Sequence, residues 1–166
     1  MNTEILRDVG RGHEDEPLGH YLQLMGAFGL VWGVGTTLLR LAGRRFPERV
    51  VLSDLLVLGL ATTRIARLVT QDKVARVVRA PFTEVDPEAS PHEVKEQPRV
   101  DAGGVRRAIG ELVTCPRCVG VWAASGLTFA YVAAPRTTRL ASLALAAATI
   151  SDYANVCFAA TRRVGE

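Results

Sequence analysis

Tyr21-Leu-Gln-Leu-Met-Gly-Ala-Phe-Gly-Leu-Val-Trp-Gly-Val-Gly-Thr-Thr-Leu-Leu39 contains no charged side chain. A helix rises about 1.5 Å per residue, so a stretch of this length roughly matches a ~30 Å hydrocarbon core and reads as a spanning segment. It runs on to Leu41 and into the bases Arg40, Arg44, Arg45 and Arg49, the anchors expected where a helix leaves a bilayer. It does not read as a cleaved signal. The residues before it hold Glu4, Asp8, Glu14, Asp15 and Glu16 against Arg7 and Arg11, where a signal peptide needs a short basic start.

Working outward, residues 1–19 are acidic and punctuated by Gly10, Gly12, Pro17 and Gly19, which predicts a mobile tail ahead of a helical membrane domain over 20–166. The first span covers about 21–41. A second, about 50–69, opens with Ser53 as N-cap and Asp54 in the first turn; it crosses only if Arg64 and Arg67 pair or snorkel. A third, about 117–134, follows Pro116 and stops at Pro135-Arg136. The fourth, about 140–161, is rich in alanine, includes Asp152, and closes at Arg162-Arg163.

Between the second and third spans lies a charged loop, 70–116. Gln71 to Arg79 gathers Val74, Val77 and Val78 on one side, as a short helix at the headgroups would. Thr83 to Gly104, with Pro87, Pro91 and Pro98, reads as polar loop. From Val105 the helical period returns through Ile109, Leu112 and Val113, a second interfacial helix. The expected fold is an all-α integral membrane helical bundle of about four spanning helices with short interfacial helices.

The mean hydropathy of +0.16 averages these apolar blocks with charged connections. Lys and Arg number 20 against 17 acids, but the bases flank apolar blocks, which argues against nucleic acid as a partner. With four spans, Arg40, Arg44, Arg45, Arg49, Arg136 and Arg139 fall on one side. The larger set, from Arg7 through Arg64, Arg79 and Arg107 to Arg163, falls on the other. That bias places both termini and the large loop in the cytoplasm, in a multi-pass protein of the cell membrane.

Cys115-Pro-Arg-Cys118 is the sharpest local motif, because a Cys-x-x-Cys pair at a helix start can bind metal or exchange thiols. A closed zinc site needs four ligands, and His13, His20 and His92 are distant in sequence, so zinc would need ligands pooled from two protomers. A structural role at the turn stays open beside metal and redox roles. Cys157, alone in an apolar helix, reads as a small buried residue. Asp152 lies about as far past Leu140 as Arg64 lies past Val51, so the two can meet at one depth as an intramembrane ion pair. Gly29-xxx-Gly33 is a candidate helix-approach motif.

Taken together, Ser53-Asp-Leu-Leu-Val-Leu-Gly-Leu-Ala-Thr-Thr-Arg64, Asp72-Lys73, Arg79-Ala-Pro-Phe-Thr-Glu84 and Gly110-Glu-Leu-Val-Thr-Cys-Pro-Arg-Cys-Val-Gly-Val-Trp122 resemble a known set. It is that of the bacterial membrane family catalogued as domain of unknown function 1360, which includes a sporulation-associated protein. The likeness covers roughly residues 50–160 and implies a multi-pass membrane protein with no assigned activity. The sequence holds no complete catalytic constellation. The leading expectation is a non-enzymatic scaffold or partner-binding component, its partners the lipid bilayer and a protein or a second copy. The alternatives are a metal-binding or thiol-redox protein using Cys115 and Cys118, and a small pore or holin-like oligomer.

Overall fold

A computed structural model describes residues 18–85, 96–99 and 104–164. Helix α1 spans Leu18–Leu41, taking Leu18 and Gly19 from the expected tail; residues 1–17 lie outside the described residues. Its end is built by Gly43, whose positive φ of 69° lets its N–H reach Arg40 O at 3.0 Å and the Arg44 N–H reach Leu39 O at 3.0 Å. This is a glycine-closed helix terminus that a side chain at 43 would strain.

Helix α2 is Leu52–Thr70. Its N-cap is Val51, in extended conformation and without a side-chain cap bond, so the expected capping by Ser53 is corrected. Ser53 already sits inside the first turn, and Asp54 turns toward neighbouring helices. A 3-10 turn, Lys73–Ala75, and the single-turn α3, Arg76–Arg79, follow.

The stretch expected to be polar loop then forms strand β1, Thr83–Val85, paired antiparallel with β2, Glu96–Pro98, in the register Thr83↔Pro98, Glu84↔Gln97 and Val85↔Glu96. Among the described residues the chain is otherwise helical, as expected, with this small two-stranded ladder added. Helix α4, Gly104–Thr114, leads through Cys115 into α5, Pro116–Ala133, with a bend of 87° between them. Pro116 takes the first helical position, where the missing N–H costs nothing. Helix α6 spans Pro135–Val164. Pro135 therefore both ends α5 and opens α6, where the sequence reading had placed only a stop.

Matching contacts fix the helix directions. Phe28 meets Trp122, Trp32 meets Ser125, and Gly35 meets Phe129, so α1 and α5 run parallel. Arg139 with Asp54, Thr149 with Leu60, and Asp152 with Arg64 make α2 parallel to α6. Tyr131 reaches Asp54, so α5 runs opposite to α2. The C-terminal end of α2 and the start of α5 thus share one end of the bundle with the 71–115 connection.

The interior is small and polar. Buried residues include Ala61, Ala66, Ala108, Val119 and Ala146, together with Thr70, Ser125, Thr138, Ser142 and Thr149. On α6 the buried positions 138, 142, 146 and 149 form one stripe at helical spacing, which lets α6 approach α2 closely. Leu22, Leu30, Leu55, Leu56, Leu140, Ile150 and Phe158 point outward. A water-soluble domain buries such side chains, whereas a bundle in lipid packs through small residues and turns large ones to the solvent.

Two helical stretches are long and apolar enough to cross a membrane, Leu22–Leu41 and Pro135–Arg162; the bent α4–α5 pair makes a third if it counts as one span. Of the four crossings expected, length and composition alone support two or three. Helix α2 falls short because it carries Asp54, Arg64 and Arg67.

Candidate functional site

At the loop end, Arg64 on α2 sits between two carboxylates. Its Nη1 lies 2.6 Å from Asp152 Oδ2 on α6, and its Nη2 lies 3.6 Å from Asp72, two residues beyond α2. All three side chains are part-buried. One guanidinium thus ties the C-terminal third of α2 to both α6 and the start of the loop.

A second arginine organises the loop itself. Arg79 is completely buried, and the Glu96 side chain is 1% exposed. Arg79 donates through Nε and Nη2 to the two Glu96 oxygens at 3.0 and 3.2 Å, and through Nη1 to the carbonyls of Val69 at 2.5 Å and Asp72 at 3.2 Å. The Val69 carbonyl belongs to the last turn of α2, where carbonyls lack helical partners, so a cation there is doubly favourable. Thr83 Oγ1 donates to Glu96 Oε2 at 2.6 Å. Burial works to raise the Glu96 pKa, but the hydrogen bonds from Arg79 and Thr83 and the charges of Arg79 and Arg76 outweigh it and hold the carboxyl below its ordinary range.

The turn before β1 is clamped from the other side. Arg106 on α4 donates twice to Pro81 O, at 3.0 and 2.6 Å, and the Arg99 N–H reaches Phe82 O at 3.2 Å. Gly110 lets α4 press against this turn, since a Cβ there would stand 2.7 Å from Phe82 O. An open cleft of about 260 Å³ lies beside it, lined by Gln97, Pro98, Arg99, Arg107 and Glu111. Outside the clamp, Val74 and Val77 are each 83% exposed and Val78 is 70% exposed. The described part of the connection forms a cap carrying apolar side chains on its surface.

Cys115 and Cys118 stand at the corner from cap to bundle. Cys115 is the N-cap of α5; its Sγ accepts the Cys118 N–H at 3.3 Å and lies 2.7 Å from Cys118 Sγ. Hydrogen bonding from Cys118 lowers the Cys115 pKa; burial opposes this, and the charge of Arg117 adds to it. Both are free thiols. Among the described residues, no group of three or more His, Cys, Asp or Glu is placed to hold a metal ion, so a pair of donors is all that one described chain offers at this corner. Cys157 is exposed on α6, so its expected burial is corrected: on this helix the buried stripe runs through positions 138, 142, 146 and 149.

The opposite end holds a cluster that the sequence reading missed. Asp54, 4% exposed, accepts a 2.6 Å hydrogen bond from Tyr131 OH, and its other oxygen lies 3.1 Å from Arg139 Nε. The sequence reading noted only its place in the first turn. The signal available was a carboxylate inside an otherwise apolar helix, which demands partners. Gly29 and Gly33 have open space around them, and Gly35 makes the close approach within this chain, to the Phe129 ring.

These features define a helical protein with two or three helices apolar enough to cross a membrane, a small polar interior and a folded cap at one end. The chain matches the model of the family described as Protein of unknown function (DUF1360) over residues 57–158, and it belongs to that family. It is 35% identical over 107 residues to Sporulation protein YjcA of Bacillus subtilis (strain 168), an alignment covering 58% of this chain and 83% of that protein. No solved structure matches. The matched region runs from α2 into α6 and leaves α1 outside.

Proposed function

We propose that the chain is a non-enzymatic, partner-binding component of the cell membrane, crossing it four times with the cap and both termini in the cytoplasm. Helix α2 is the fourth crossing. Asp54 is engaged by Tyr131 and Arg139, and Arg64 by Asp152 and Asp72, so these two charges are not offered to lipid. Paired in this way, intramembrane charges are tolerated between helices. The relative's name adds a setting, sporulation, to which such a component could belong.

The observation that carries the binding role is the buried Arg79–Glu96 pair, which ties the last turn of α2 to β2 beside the outward-facing Val74, Val77 and Val78. A surface ordered in advance loses little entropy on binding. The test places a photo-crosslinking residue at Val77, at Val105 and at the outward-facing Leu143 in living cells. Discrete protein adducts at Val77 and Val105, with lipid adducts alone at Leu143, are expected; lipid adducts alone at all three positions refute the binding role. Dye release from proteoliposomes would favour the pore reading instead. Accessibility of single cysteines at positions 45 and 99 from outside the cell, with only position 45 expected to label, tests the orientation.

A further inference from the structure

The thiol pair sits apart from the proposed docking surface and has the geometry of a reagent. Cys115 caps α5 and Cys118 lies in its first turn, and their sulfurs stand 2.7 Å apart, within reach of each other. Cys115 Sγ accepts an N–H at the positive end of a helix, which favours its thiolate. Cys118 is exposed and Cys115 half-buried, so an incoming disulfide can reach the pair. Pro116 between them opens the helix without demanding a donor.

We propose that Cys115 and Cys118 form a redox-active dithiol that exchanges once, stoichiometrically and beside the binding role, with a disulfide of a small molecule or protein presented at the α4–α5 corner. The Cys115 thiolate attacks one sulfur of a disulfide R–S–S–R′, forming a mixed disulfide with R–S and expelling R′–S⁻, which takes up a proton. Cys118 then loses its proton and attacks Cys115 Sγ, expelling R–S⁻, which is protonated in turn. One substrate disulfide becomes two thiols, and the chain gains one disulfide. Two electrons pass to the substrate, with two protons.

The experiment uses the full chain in lipid nanodiscs, with Cys157→Ser so that two thiols remain, equilibrated against glutathione and its disulfide over the full range of ratios. After acid quenching, intact mass is the readout. The expected product is a species two hydrogens lighter, with no retained glutathione. In Cys118→Ser the reaction stops with one glutathione on Cys115, and Cys115→Ser reacts at least about tenfold more slowly because the favoured thiolate is gone. A two-cysteine chain that stays dithiol at every ratio, or that carries two glutathiones, overturns the proposal. So does a tightly held zinc ion that keeps both thiols from oxidation. The two-cysteine form answers the central question without a change at either cysteine of the pair.

Discussion

Replacing Glu96 by alanine strands Arg79. The guanidinium is fully buried and loses both carboxylate hydrogen bonds, retaining only the carbonyls of Val69 and Asp72. Breaking a buried ion pair by removing one partner costs about 3–5 kcal/mol. Because two carbonyl bonds survive, the lower end, about 3 kcal/mol, applies; at about 1.4 kcal/mol per decade the cap should open roughly a hundredfold more often. Hydrogen exchange in nanodiscs reads this locally. The Phe82 amide, bonded to Arg79 O at 2.8 Å, and the Arg99 amide, bonded to Phe82 O, should exchange about a hundredfold faster, while amides of α2 and α6 keep their protection. Acid should act through the same carboxyl. A folded pKa below the unfolded value of about 4.3 means that the Glu96 contribution is complete above that value and is lost as pH falls through the folded one. After correction for intrinsic exchange, protection should be flat from neutral pH down to about 5 and fall below about 4. Unchanged protection in Glu96→Ala, within threefold, would refute the claim that this pair shapes the cap.

Three further outcomes follow from the bundle. Gly35→Ala should cost about 1–3 kcal/mol and shift tryptophan emission, because its Cβ meets the Phe129 ring that packs 4.9 Å from Trp32; Gly29→Ala, with nothing within 4 Å, is the control that should leave emission unchanged. Arg64→Gln and Asp152→Asn should each lower the thermal midpoint in nanodiscs, by an amount bounded by the ~2.5–3.5 kcal/mol of an unpaired charge in a membrane helix. The exchange Arg64→Asp with Asp152→Arg should recover part of the loss, and single variants as stable as wild type would dismiss the pair. Tyr131→Phe should cost about 1.5–3 kcal/mol, the value of a hydrogen bond to a charged group, whereas Tyr153→Phe, on an exposed ring, should be silent in the same melt.

Runs without charge mark α1 and α5 in the sequence, and an apolar run interrupted by Asp152 marks α6, because a helix that turns its large side chains outward on every free side leaves an apolar block and no amphipathic stripe. Equal counts from the helix ends drew Arg64 and Asp152 to one level, and the structure sets their atoms 2.6 Å apart; counting does not reach Asp72, which closes the other side of Arg64. Glu96 was hidden for a different reason. Its partner lies 17 residues away, and neither helical nor strand periodicity relates them. The Arg79-Ala-Pro-Phe-Thr-Glu84 motif was visible as a likeness, but its purpose emerges only where Arg79 meets the exposed carbonyls ending α2. Ser53 misled because Ser is a strong N-cap type, while Val51 holds the extended conformation that starts the helix. The glycines misled because Gly29-xxx-Gly33 has the familiar spacing, whereas close approach in this chain is decided by where Phe129 falls.

The partners of α2 impose an order on biogenesis. Asp54 must wait for Tyr131 and Arg139, and Arg64 for Asp152, all made long after α2 leaves the ribosome. On the proposed four crossings, α1 can enter the bilayer on its own, but α2 entering alone would bring unpaired charges into hydrocarbon. It would have to linger at the insertion machinery or the interface until the C-terminal hairpin arrives, and then enter with it. A nascent chain ending at residue 134 should therefore leave residues near 45 and near 72 on the same side in a protease-protection assay, and one carried through to 166 should separate them.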